Sequence, residues 1–123
     1  MVATQSTGRG SGPLTELRKG ALEYCVLAIV SETETYAFEL VRELADAGGL
    51  VTSEGTIYPL LARLRRDGLV TTTWRESASG PPRRYYAITS AGRHALDAFR
   101  ADWVGFRDTV DGLLGTQRRR IGE

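Results

Sequence analysis

Apolar residues recur along this chain at intervals of three and four, then of two, then of three and four again. Leu14, Leu17, Ala21, Tyr24 and Ala28 make one stripe, and Leu22, Cys25, Val26 and Ile29 make a second. That spacing predicts a helix over residues 14–30, with an apolar surface wide enough to pack against two neighbours. Residues 31–35 (SETET) interrupt the pattern. Thr33 or Thr35 suits the cap of a second helix, and Glu34 suits its positive end. The second helix is expected from about Tyr36 to Asp46, with Ala37, Leu40, Val41 and Leu44 inward, and Gly48-Gly49 stops it.

Residues 53–70, SEGTIYPLLARLRRDGLV, predict a third helix on the spacing of Ile57, Leu60, Leu61 and Leu64. Thr52 or Ser53 is a natural N-cap, and Asp67-Gly68 ends the segment. Pro59 falls in the second turn, where it loses a hydrogen bond and presses on the carbonyl of residue 55, at a cost of ~3 kcal/mol in a helix interior. Residue 55 is glycine, whose backbone yields easily. The expectation is a helix that starts near Ser53 and is bent or loosened over Gly55–Pro59.

The period then changes to two. Residues 69–74 (LVTTTW) and 83–89 (RRYYAIT) are β-branched and aromatic, and SASGPP between them is turn chemistry. They predict a hairpin. Thr89-Ser90 caps a last helix, expected over about residues 91–114. Its length, on the order of 36 Å, exceeds what so small a core can cover. The fold class expected is mainly α with a small β-hairpin: a winged helix-turn-helix plus a long C-terminal dimerisation helix. The corresponding divisions are a flexible arm over 1–13, a winged-helix domain over 14–89, the dimerisation helix over 90–115 and a basic tail over 116–123.

Composition adds few constraints. A chain of 123 residues, 41% apolar and 25% charged, fits one globular domain or one with an appended helix. No run of about 18 apolar residues is present to span a membrane. The first residues, MVATQSTGRGSGP, lack an apolar signal core, and Cys25 is the single cysteine. A cytoplasmic protein is expected, with Cys25 as a small buried hydrophobe.

Charge changes the picture through its distribution. The net charge is only +1, but residues 63–93 carry seven arginines against Asp67 and Glu76, for a local charge of +5. The remainder carries nine basic against thirteen acidic residues, or −4. A basic cluster on a third helix and a hairpin is the footprint of phosphate binding. The third helix suits a DNA major groove, where Ser53, Thr56 and Arg63 reach base edges or phosphates. Arg83 and Arg84 stand where a wing meets the flanking backbone. Arg65 and Arg66 are either phosphate contacts or solvated.

On the last helix Leu96, Phe99, Trp103, Phe106, Val110 and Leu113 are spaced three, four, three, four, three. This a/d stripe calls for a partner: the first or last helix of a second copy. Trp103 and Phe106 serve either as dimer core or as an aromatic platform in a cavity between subunits, where a flat apolar effector stacks.

The segments SEGTIYPLLARLRRDGLV, the following Trp74, and GPPRRYYAITSAGR together resemble the PadR family of bacterial transcriptional regulators. The resemblance covers about residues 14–114, and the short single C-terminal helix is similar to the smaller subgroup of that family. It implies a winged-helix homodimer, built through its first and last helices, that binds a double-stranded DNA operator. It also implies repression relieved by a small molecule or a stress signal. By position it puts the recognition segment on Ser53, Gly55, Thr56, Tyr58 and Arg63, and the wing on Arg83, Arg84 and Tyr85. Tyr58 is expected to contact phosphate or anchor the helix. One of Tyr85 and Tyr86 points inward and one outward. This chain has Tyr36-Ala37-Phe38 where many members have Tyr-Gly-(Tyr/Phe).

Other functions have less support in the residues. His94 is the single histidine, and no metal spacing, Walker loop or GxGxxG occurs, so no cofactor and no catalysis are expected. A winged helix used only for protein–protein contact is the alternative, since fold alone does not fix function.

Overall fold

Helix α1 (Pro13–Glu32) opens on proline, whose fixed φ suits a first helical position. The computed structural model describes residues 13–48, 50 and 52–115. The expected arm, apart from Pro13, and the tail over 116–123 lie outside the described residues. The chain continues through α2 (Ala37–Ala47), α3 (Glu54–Arg66), β1 (Val70–Ser77), β2 (Gly80–Ile88) and α4 (Ser90–Leu114). It is a mainly helical fold with one antiparallel hairpin, a winged helix-turn-helix with a long last helix.

The core sits where α1, α2 and α3 meet. Val26 and Leu27, Leu40 and Leu44, and Ile57, Leu61 and Leu64 are all fully buried there. On α2 and α3 the inward residues are those the spacing predicts, although Val41 is only half-buried. On α1 one stripe enters the core, whereas Leu14 and Leu17 stay exposed. Cys25 is half-buried against the core, and burial pushes its thiol pKa up.

Three local expectations are corrected. Helix α1 runs on through Ser31, whose hydroxyl donates to the Ala28 carbonyl at 2.6 Å. Neither Thr33 nor Thr35 caps α2. Tyr36 holds that position without a side-chain capping bond, because Thr35 is buried and extended in a bridge to Tyr86. The start expected near Ser53 is met, and α3 runs unbroken past Pro59. Gly55 and Pro59 are both exposed, so the carbonyl that proline leaves unpaired reaches water. Finally, the turn shrinks from SASGPP to Ala78-Ser79, with Ser77 opposite Gly80 and a bulge that takes up the extra residue beside Pro81 and Pro82. Both strands are edges, so the prolines cost no ladder bond to a third strand.

Helix α4 is seated by a tight joint. Gly68, at φ +76°, turns the chain out of α3. Thr89 then caps α4 by accepting from the Gly92 amide at 3.0 Å, while its hydroxyl donates to the Gly68 carbonyl at 2.7 Å. Gly92 itself is buried against the chain at Leu69. Farther along, α4 packs on α1 through Tyr24 and Phe99, whose rings stack at 4.1 Å and 2°.

Candidate nucleic-acid interface

Ser53 starts α3 by accepting from the Thr56 amide at 3.3 Å. With Ile57, Leu60, Leu61 and Leu64 buried, helical geometry turns Gly55, Pro59, Ala62 and Arg66 straight outward. Tyr58 and Arg65 lie on the flank facing the hairpin. Thr56 and Arg63 lie on the opposite flank, toward α1. There Arg63 is ion-paired with Glu23 at 2.9 Å.

The hairpin has two unlike faces. Register pairs Val70 with Ile88, Thr72 with Tyr86 and Trp74 with Arg84 on the face toward the core. Thr73 with Tyr85 and Arg75 with Arg83 occupy the other. Tyr86 is therefore the inward member of the tyrosine pair, at 5% exposure, and Tyr85 packs on Tyr36 with ring centroids 5.2 Å apart. Arg75 and Arg83 stand directly opposite each other, an unfavourable placement for like charges. The neighbouring segment relieves it: Arg75 pairs with Glu34 and lies 4.4 Å over the Tyr85 ring, while Arg83 lies 4.5 Å over Tyr36. The Thr35–Tyr86 bridge, with amide bonds of 3.2 and 2.8 Å in the two directions, fixes that segment beside β2.

Arg84 lies 4.8 Å over Trp74, which is 63% exposed. Trp74, Tyr36 and Phe38 join Tyr58, Arg65, Arg83, Arg84 and Tyr86 around a cavity of about 460 Å³ between α2, α3 and the hairpin. Among the described residues no carboxylate lines it. Burial pushes the Tyr86 phenol pKa up, Arg84 pulls it down, and Tyr58 and Arg65 add smaller effects of each sign. Among the described residues, Arg65, Arg66, Arg83 and Arg84 have no carboxylate partner.

The structure thus brings Tyr58, Arg83 and Arg84 to one cavity. It leaves Ser53, Gly55 and Thr56 at the start of α3, Arg63 with Glu23, and Tyr85 on the outer hairpin face. Sequence reasoning passed over Trp74, Tyr36 and Phe38 as site residues. The alternation of 70–74 contained the signal for Trp74, but its neighbours depend on the register.

The remaining predicted residues lie on α4. Leu96 is buried, Phe99 and Val110 are half-buried, and Trp103, Phe106 and Leu113 are 40%, 57% and 82% exposed. Trp103 continues the stack from Phe99 at 6.0 Å, and Phe106 follows it at 6.1 Å, tilted by 40°. With Leu17, Glu16 and Asp102 they line a second cavity of about 340 Å³. Among the described residues no helix is long and apolar enough to cross a membrane.

A helix-turn-helix with a basic hairpin beside its second helix is a DNA-binding module of the winged-helix class. The family model for PadR-like transcriptional regulators matches residues 26–98. The chain belongs to that family, which is one of transcriptional regulators and not of enzymes. A PadR-like transcriptional regulator from Bacillus cereus is 41% identical, with a TM-score of 0.73 over 80% of this chain and 96% of its own. A PadR family regulator from Eggerthella lenta is 38% identical, with a TM-score of 0.73 over 83% and 88% of the two chains. A transcriptional regulator of Mycobacterium tuberculosis is 37% identical over 109 residues, 89% of this chain and 97% of its own.

Proposed function

We propose that this regulator acts as a homodimer that binds a double-stranded DNA operator and represses transcription until a small molecule releases it. The observation that carries the DNA site is the set of four arginines, at 65, 66, 83 and 84, on adjoining surfaces of α3 and the hairpin, which have no carboxylate partner among the described residues. In water such guanidiniums gain little from one another, whereas a phosphate backbone pairs them all. Ser53, Gly55 and Thr56 open the helix that enters the major groove. Tyr58 takes a phosphate on the hairpin side, and Tyr85 steadies Arg75 at the wing. Gly55 and Ala62 let the helix approach closely, and Arg63 contributes less than the wing because Glu23 already holds it.

Dimerisation runs along the bare side of α4. Trp103, Phe106 and Leu113, with Leu14 and Leu17 of α1, leave an apolar strip that a second copy covers. The cavity beside Trp103 then lies at the subunit boundary, where a flat apolar effector stacks on the ring and alters the spacing of the two α3 helices. Titration of an operator duplex at two salt concentrations tests the reading: DNA binding weakens steeply with salt, whereas a protein-contact module would not.

A further inference from the structure

The hydroxyl of Tyr86 is the polar group that the fold leaves unexplained. The residue is 95% buried by its 5% exposure, its side chain lines the cavity between α2, α3 and the hairpin, and its phenol makes no hydrogen bond with any described residue. A hydroxyl that lines a cavity without a protein partner keeps its donor available to whatever enters. Arg84 and Arg65 line the same cavity, and neither has a carboxylate partner among the described residues. Arg84 stands 4.8 Å over the Trp74 ring, a contact that positions its guanidinium at the rim of the cavity. A hydroxyl donor and two guanidiniums around one cavity form a receptor for an oxyanion, and among the described residues no acid lines the recess to repel one.

We propose that this recess is a phosphate site in which Tyr86 donates a hydrogen bond and Arg65 and Arg84 supply charge, the phosphate being carried on a nucleotide unit. The aromatic walls, Trp74 and Tyr58, take the sugar or ring attached to it. Two sources offer that chemistry: a backbone phosphodiester of bound DNA, or a free phosphate ester that competes with DNA for the same arginines. The first source rests on the DNA-binding reading above; the second does not.

Tyr86→Phe removes the hydroxyl and keeps the ring. Arg65→Gln changes an exposed residue and guards against a folding defect, with circular dichroism as the control. Each variant is compared with the unaltered protein in two titrations, one with a short duplex and one with thymidine 5′-monophosphate against thymidine. If the backbone is the source, both substitutions weaken duplex binding about tenfold, the loss expected for a hydrogen bond to a charged acceptor. If a free ester is the source, the nucleotide binds, thymidine does not, both substitutions weaken the nucleotide by a similar factor, and the nucleotide displaces duplex. A protein that binds the nucleotide but no duplex retains the phosphate site and removes the DNA-binding reading. Tyr86→Phe without effect in either titration overturns the proposal.

Discussion

Gly92 lies so close to Leu69 that a Cβ on it would stand 2.1 Å from the Leu69 carbonyl oxygen. The same carbonyl accepts from the Thr89 amide at 3.0 Å, and a Cβ would also meet the Ile88 side chain at 2.7 Å. The joint between wing and last helix therefore has no room for a side chain. Because α4 carries the proposed dimer face and β2 carries the arginines, this contact sets where one stands relative to the other.

Gly92→Ala must push α4 away from Leu69 and Ile88. Overpacking of this kind costs about 2–3 kcal/mol, so thermal unfolding is expected to begin roughly 10 °C lower. An unchanged melting temperature would show that the joint gives way without strain.

The two arginine settings make opposite forecasts for DNA. Replacing Arg83 and Arg84 with alanine lowers the slope of log affinity against log salt by about 2, one for each lost phosphate contact, and weakens all sequences alike. Arg63→Ala lowers it by less than about 1, since its ion pair with Glu23 must be given up before it can serve a phosphate. A loss at Arg63 as large as that per wing arginine in anisotropy titrations would count against that division.

Trp103→Glu places a charge on the apolar strip of α4. Light scattering is expected to show the unaltered protein near twice its 13.5 kDa and the variant near that single mass. A variant still at double mass would move the seam elsewhere.

Tyr86 gives stability an alkaline limit. Its pKa is raised above the ordinary 10.0, chiefly by burial, so the folded protein holds this proton more tightly than the unfolded chain. That contribution is fully present below pH 10 and is lost as pH rises through the higher folded value. Denaturant titrations from pH 8 to 11 should therefore show a steeper alkaline fall in the unaltered protein than in Tyr86→Phe.

Much of the fold was legible because spacing reports burial directly. Ile57, Leu60, Leu61 and Leu64 recur at helical intervals, and all four are buried. The motifs around Pro59 and the paired tyrosines pointed to the family. What was not legible depends on contacts distant in sequence. Thr35 looks like a helix cap, but Tyr86, 51 residues on in the chain, holds it extended instead. Arg63 looks like a base reader until Glu23 is seen beside it. The turn residues of SASGPP are genuine, but a bulge lets the strands pair into them. Which tyrosine faces inward is a one-residue question of register, and alternation alone leaves it open.

The central claim is that the basic surface of α3 and the hairpin binds an operator. Its most direct test is a mobility-shift titration of the DNA upstream of the protein's own gene against a scrambled fragment of equal length, at two salt concentrations. The account predicts binding to the upstream fragment that is tighter than to the scrambled one and that falls steeply with salt. No binding to either fragment even at low salt would contradict it.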